Sequence, residues 1–130
     1  MAKTLTMQLL ITSSDLFSGN ALKILQTDEL SIDGDVTQGS IEVTADYVTF
    51  YTADTDQAYM YFKNSSTTSD TSDPLELYVT IEGSADALRL KSGEWAWMKL
   101  AEKDLSVKTA GAIAAEDSPL LDYLICVDSP

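Results

Sequence analysis

The amino-acid sequence predicts an all-β fold, an antiparallel β-sandwich of jelly-roll-like character, built as a single domain over residues 1–130. Three observations carry this expectation. Apolar and polar residues alternate with a period of two in several segments, as they do in a strand with one buried face. Such segments recur about every 8 to 14 residues, set apart by clusters of Ser, Thr, Asp and Gly that favour turns. No stretch between them sustains a 3.6-residue period, which disfavours βαβ units and leaves sheet packed on sheet.

Taken in order, the first candidate strands are "TLTMQLLIT" (Thr4 to Thr12), "ALKILQ" (Ala21 to Gln26), "GSIEVTA" (Gly39 to Ala45) and "ADYVTFYTA" (Ala45 to Ala53). The last of these is dense in β-branched and aromatic residues, which suit a pleated, half-buried surface. "DQAYMYFKN" then places Ala58, Met60 and Phe62 on one face and Tyr59, Tyr61 and Lys63 on the other. The cleanest alternation is "LELYVTIE": Leu75, Leu77, Val79 and Ile81 point one way, and Glu76, Tyr78, Thr80 and Glu82 the other. "ALRLK" (Ala87 to Lys91), "WAWMKL" (Trp95 to Leu100), "LSVKTA" (Leu105 to Ala110) and "LLDYLICV" (Leu120 to Val127) complete the set. Two segments permit a turn of helix, one at Asp15 or around Leu22 to Leu25 with Asn20 as the cap, the other in "GAIAAEDSPLL". "NSSTTSDTSDP", residues 64–74, has no apolar anchor and is expected as an exposed, mobile loop.

Composition bounds the function. With 45% hydrophobic residues the chain can bury a core, yet 21 acidic groups face 8 basic ones for a formal charge of −13. That charge disfavours nucleic acid and anionic membranes as partners and suits high solubility. The acidic residues are spread from Asp15 to Asp128 and read as a solvated surface. "MQLLI", after Lys3, is too short and too broken by Gln8 for an export signal, and no window approaches the roughly 18 apolar residues of a spanning helix. Cys126 is the single cysteine and no histidine is present to generate a thiolate, so an inert, buried strand thiol is expected.

Catalytic, cofactor-binding and metal-ligating sets are all expected to be missing. There is no phosphate loop, zinc spacing or nucleophile elbow. A glycosidase pair could only come from loop carboxylates such as Asp33, Asp35, Asp54, Asp56, Glu94 and Asp104, where chance proximity is expected among so many acids. "DGD" and "DTD" place hard oxygen ligands in loops, but "DGDVTQGSIEVT" lacks the further ligands of a calcium loop, and turn chemistry accounts for its aspartates. Asn64-Ser65-Ser66 matches a glycosylation acceptor and is read as plain loop.

The only tryptophans, Trp95 and Trp97, share one face of their strand. Core packing, a subunit interface and a sugar-stacking platform all remain open for them. Tyr59, Tyr61 and Tyr78 lie opposite the apolar faces of their own strands, so they are expected outside the core, and exposed rings usually meet a partner. Trp95, Trp97, Tyr59, Tyr61 and Tyr78 are therefore the candidate interface residues, and a homo-oligomer is the simplest partner.

The succession "YMYFKNSST", "VTIEG", "LRLKSGEWAWMKL", "DLSVKTA" and "LDYLICV", from Tyr59 to Val127, resembles small bacteriophage virion structural proteins of the head decoration or cement type. The resemblance covers roughly half of the chain, and its motifs are degenerate. It implies a non-enzymatic viral protein on the capsid surface, assembled in the host cytoplasm, homotrimeric, with the major capsid protein or another virion protein as partner. A tail, neck or fibre component would share these features, and a carbohydrate-binding module using Trp95 and Trp97 is the alternative of a different class. The N-terminal third lies outside the resemblance; residues 1–14 are expected as an arm or edge strand that grips the shell or a neighbouring subunit.

Overall fold

The computed structural model describes residues 3–17, 20–52, 57–67, 75–82, 84–101, 103–111, 113 and 117–128, without the side chains of residues 16, 17, 20, 84–86 and 128. Among the described residues ten strands follow one another: β1 (Lys3–Phe17), β2 (Asn20–Ile32), β3 (Val36–Glu42), β4 (Val48–Tyr51), β5 (Gln57–Asn64), β6 (Glu76–Ile81), β7 (Ser84–Lys91), β8 (Trp95–Leu100), β9 (Leu105–Thr109) and β10 (Leu120–Asp128). The chain is all-β, as predicted.

Strands β3 to β10 form the sandwich. One sheet has the order β3-β10-β5-β8 and the other β4-β9-β6-β7, and every pairing is antiparallel. Renumbered one to eight from β3, the sheets run 1-8-3-6 and 2-7-4-5. This is the doubly wound Greek-key order of a jelly roll. Successive strands pass from one sheet to the other, except at the β6–β7 hairpin, and the last strand returns beside the first.

The alternation seen in the sequence fills the space between the sheets. Met60 and Phe62 of β5, Leu121 and Ile125 of β10, Leu77 and Val79 of β6, and Leu105 and Val107 of β9 are all buried. These strands are the inner two of each sheet, so their inward side chains are covered from every side. Burying each such side chain stabilises by roughly 1.5–3 kcal/mol. Phe50 meets Phe62 edge-on at 5.7 Å and Tyr123 at 5.5 Å. Tyr123 has room because its cross-strand partner is Gly39, where an added Cβ would lie 3.0 Å from the tyrosine hydroxyl.

β1 and β2 stand apart as a two-stranded antiparallel hairpin, continuous in register from Lys3↔Ile32 to Ser13↔Leu22. Residues 3–14 thus form most of one leg of that hairpin and not an edge strand of either sandwich sheet. The helical turns expected at Asp15 and at Leu22 to Leu25 are strand instead. Four residues lie far below the length at which a helix sustains itself, whereas the ladder across Ile11↔Ile24 and Leu10↔Leu25 satisfies the same backbone groups. The Asp33-Gly34-Asp35 turn joins the hairpin to β3 and closes on the end of β10. Gly34 N donates to Val127 O at 3.0 Å and Val127 N to Asp35 O at 2.8 Å. A Cβ at Gly34 would sit 2.5 Å from Val127 O, so this approach requires glycine.

The polar segment from Asn64 also departs from its sequence expectation. Its first residues are not an exposed loop: Asn64 ends β5 on the inward face and is fully buried, and Ser66 is buried too. Asn64 Nδ2 donates to Leu75 O at 2.9 Å and Leu90 O at 2.8 Å, while its Oδ1 accepts from Ser66 N at 2.9 Å. Its backbone holds the β7–β8 turn, accepting from Gly93 N at 2.7 Å and donating to Glu94 O at 3.0 Å. A buried amide with partners for both ends is stable, and one in solvent would gain nothing from this position. Residues 68–74 of the segment, the Asp54 and Asp56 carboxylates, and most of the alanine-rich "GAIAA" stretch lie outside the described residues.

Candidate aromatic surface

The β5–β8 register builds the candidate site. It sets Tyr59 opposite Lys99, Tyr61 opposite Trp97 and Lys63 opposite Trp95. Ala58, Met60 and Phe62 fill the core, so these intervening residues point outward. Both tryptophans are therefore on the outer face, with Trp95 55% exposed and Trp97 half-buried. Core packing, one of the three readings open at the sequence level, does not describe them. Ala96 and Met98, between and after them, pack against the core instead.

The four rings form a compact patch. Tyr59 and Trp97 have centroids 6.1 Å apart and planes within 14° of parallel, and Tyr61 and Trp95 lie 6.4 Å apart at 37°. Lys99 Nζ sits 4.7 Å from the Tyr59 ring centroid and donates to its hydroxyl at 3.3 Å. Such offset ring pairs and cation–π contacts hold side chains in place at the surface.

Tyr78 is not part of this patch. It belongs to β6 and faces outward from the opposite sheet, across the thickness of the sandwich. There the Arg89 guanidinium lies 5.1 Å from its ring and Lys108 Nζ 6.0 Å, with Lys108 also 4.6 Å from the Tyr47 ring. Arg89 in turn pairs with Glu76 at 2.6 Å. The sequence predicts outward tyrosines correctly here, but which outer face each occupies depends on sheet membership.

Polar groups border the rings on the same outer face. The β10 pairings carry the grid onward, with Asp122 beside Lys63, Leu124 beside Tyr61 and Cys126 beside Tyr59, then Ser40, Gln38 and Val36 of β3. The Ser40 and Ser65 hydroxyls both donate to the Asp122 carboxylate, one to each oxygen. Those bonds, Ser40 first and then Ser65, hold the Asp122 carboxyl below its ordinary value of 3.8; partial burial opposes them and Lys63 adds to them. Sequence reading missed this cluster, because Ser40 and Asp122 are 82 positions apart and neither is unusual alone.

The hairpin lies over part of the same face. Lys3, Leu5, Met7, Leu9 and Ile11 alternate onto one side of β1, in register with Ile32, Leu30, Asp28, Gln26 and Ile24 of β2. At the hairpin's base Ile32 is buried, and Lys3 Nζ donates to Gly34 O at 3.0 Å. Cys126 is outward-facing yet buried, beside a cavity of about 270 Å³ that it lines with Leu5, Ile32 and Val36. Burial pushes its thiol above the ordinary value of 9.0. Further along, a cavity of about 300 Å³ opens between Met7 and Leu9 on one side and Tyr61, Trp95 and Trp97 on the other. A third, of about 370 Å³, lies across Tyr61 and is lined by Gln38, Ser40 and Asp122.

Beyond that contact the hairpin carries apolar side chains into solvent on both of its faces: Leu10 is 57% exposed, Leu25 52%, Ile24 45% and Ile11 42%. Among the described residues, no group of three or more Cys, Asp or Glu side chains is placed to hold a metal ion. Among the same residues no helix is long and apolar enough to cross a membrane.

No family model matches the chain, and no curated protein matches it. A solved structure described as "Bacillus endospore appendages form a novel family of disulfide-linked pili" is similar over 73% of this chain and 87% of its own, at 17% identity and a TM-score of 0.46. A likeness at that level specifies neither fold nor function.

Proposed function

We propose that the protein is a non-enzymatic structural subunit that works by joining a larger assembly, and that this assembly is a bacteriophage virion, with the chain as a head decoration or cement protein. The observation that carries the assembly role is the distal half of the β1–β2 hairpin. A two-stranded ribbon is marginal by itself in water, and this one exposes Leu10, Ile11, Ile24 and Leu25 in a chain of net charge −13. Neither core packing nor solubility accounts for apolar side chains at those positions. Covering them with a neighbouring subunit or the major capsid protein accounts for both the ribbon's length and its composition.

The magnitude is sufficient. Each of these four side chains is about half exposed, so covering it contributes roughly 1 kcal/mol, and the four together about 4 kcal/mol, near three decades of affinity. The bacteriophage setting and the trimeric state come from the resemblance of Tyr59 to Val127 to decoration proteins. The jelly-roll sandwich is compatible with that setting, as it is with a tail or fibre position.

Light scattering of the purified chain, alone and with purified heads of the encoding phage, tests the proposal. The expected results are a trimer mass and co-sedimentation with heads. Replacing Ile11 and Ile24 by Lys should leave the thermal unfolding of the sandwich in place and remove both associations. A monomer that ignores heads would overturn the function, and an Ile11→Lys, Ile24→Lys variant that associates normally would overturn the hairpin's role.

A further inference from the structure

We propose that the groove between the hairpin and the β5–β8 rings is a binding site for a neutral carbohydrate chain, independent of how the subunit is attached to its assembly. Tyr61 lines two neighbouring cavities. On one side the walls are Trp95 and Trp97 with Met7, Gln8 and Leu9; on the other the polar groups of Gln38, Ser40 and Asp122 stand beside Leu124 and Tyr123. An occupant spanning both must offer an apolar face to the rings and hydroxyl or amide edges to the polar side. A pyranose does both, since its axial C–H groups form an apolar face and its hydroxyls ring the edge.

Other ligand classes fit less well. A lipid or purely apolar peptide would cover Gln38, Ser40 and Asp122 without matching their hydrogen-bonding capacity. A nucleotide could stack on the rings, but its phosphates would approach the Asp122 carboxylate in a chain of net charge −13. The polar edge is also held in place. Both oxygens of Asp122 accept serine hydroxyls, so the carboxylate is oriented before any ligand arrives, and its remaining lone pairs and those of Ser40 stay available to sugar hydroxyls. Trp95 and Trp97 stand about 7 Å apart along the strand, two residues of rise, so successive sugar units can meet successive rings.

The protein reports on this site directly, because Trp95 and Trp97 are its only tryptophans. The full chain is titrated with a β-1,4-linked glucose hexamer, with an N-acetylglucosamine hexamer and, as the apolar rival, with decanoate, following tryptophan emission. At least one oligosaccharide should shift the emission saturably, and Trp95→Ala followed by calorimetry should weaken binding about tenfold, with Trp95→Phe restoring most of it. Gln38→Ala should weaken binding at unchanged thermal stability, and Tyr78→Ala, on the far sheet, should leave it unaltered. No saturable response to either oligosaccharide up to about 10 mM, where even millimolar binding would register, overturns the proposal. A response to decanoate alone, or a Trp95→Ala variant that binds normally, does so as well. Because the readout uses the free chain, failure of head attachment leaves it untouched.

Discussion

Replacing Asn64 by Ala should be among the most damaging single polar changes in the protein. The side chain is fully buried at the inward end of β5 and makes three hydrogen bonds, to Leu75 O, Leu90 O and Ser66 N. Each such bond contributes about 1 kcal/mol net, and losing the partner of a buried group costs at least that, so the change should cost about 3 kcal/mol. A domain of this size has a total stability of roughly 5–15 kcal/mol, and 3 kcal/mol should lower the melting temperature by about 10 °C. Thermal unfolding followed by far-ultraviolet circular dichroism, with urea unfolding as a check on two-state behaviour, measures the loss. Asn64→Asp separates hydrogen bonding from volume: at neutral pH its carboxylate would face the Leu75 and Leu90 carbonyls with no donor, and protonation would restore one bond. It should therefore be the less stable variant at pH 7 and should regain ground on acidification relative to Asn64→Ala. If Asn64→Ala melts within about 2 °C of the wild type, or Asn64→Leu is equally well tolerated, the amide does not hold β5 to its neighbours and the reasoning fails.

Two further outcomes follow from the outer face that carries the rings. The Asp122 carboxyl is held below its ordinary value of 3.8 by Ser40 and Ser65, so its contribution to stability is present above that value and is lost as pH falls through the lower folded value. Asp122→Asn should accordingly be less stable than the wild type at pH 7 and lose less on acidification from pH 4 to pH 2, as read by urea midpoints across that range. Burial raises the Cys126 thiol above 9.0, so it should resist a maleimide or disulfide reagent at pH 8 in the native protein and react within the dead time in urea. Rapid native labelling would show that the hairpin base does not cover it.

The hairpin and the outer face of the β3-β10-β5-β8 sheet line the same cavities. At its base the hairpin adjoins the buried Cys126; further along, its apolar side becomes one wall of the groove; and its distal half carries the side chains expected to meet a partner. A single ribbon can serve all three because they fall at successive positions along its length. Ile11 and Ile24 point to the groove side of the ribbon while Leu10 and Leu25 point away, yet all four are exposed. An assembly partner would thus contact the tip from either side without entering the groove.

By itself the sequence determined the strands and their inward faces. "DQAYMYFKN" and "LELYVTIE" alternate so regularly that Met60, Phe62, Leu77 and Val79 could be placed in the core, and Tyr59, Tyr61 and Tyr78 outside it, with no knowledge of which strands pair. Alternation is a local property, set by the pleat. Only the tertiary structure decided that Tyr59 and Tyr61 share a face with Trp95 and Trp97 while Tyr78 lies on the other sheet, that Ser40 meets Asp122, and that Asn64 turns inward to bind Leu75 and Leu90. It also decided that residues 3–14 pair with β2 in a hairpin and leave the sandwich sheets to β3 through β10. Strand pairing depends on the free energy of whole alternative arrangements, in which segments far apart compete for the same edges, and a two-residue period carries no label for the partner.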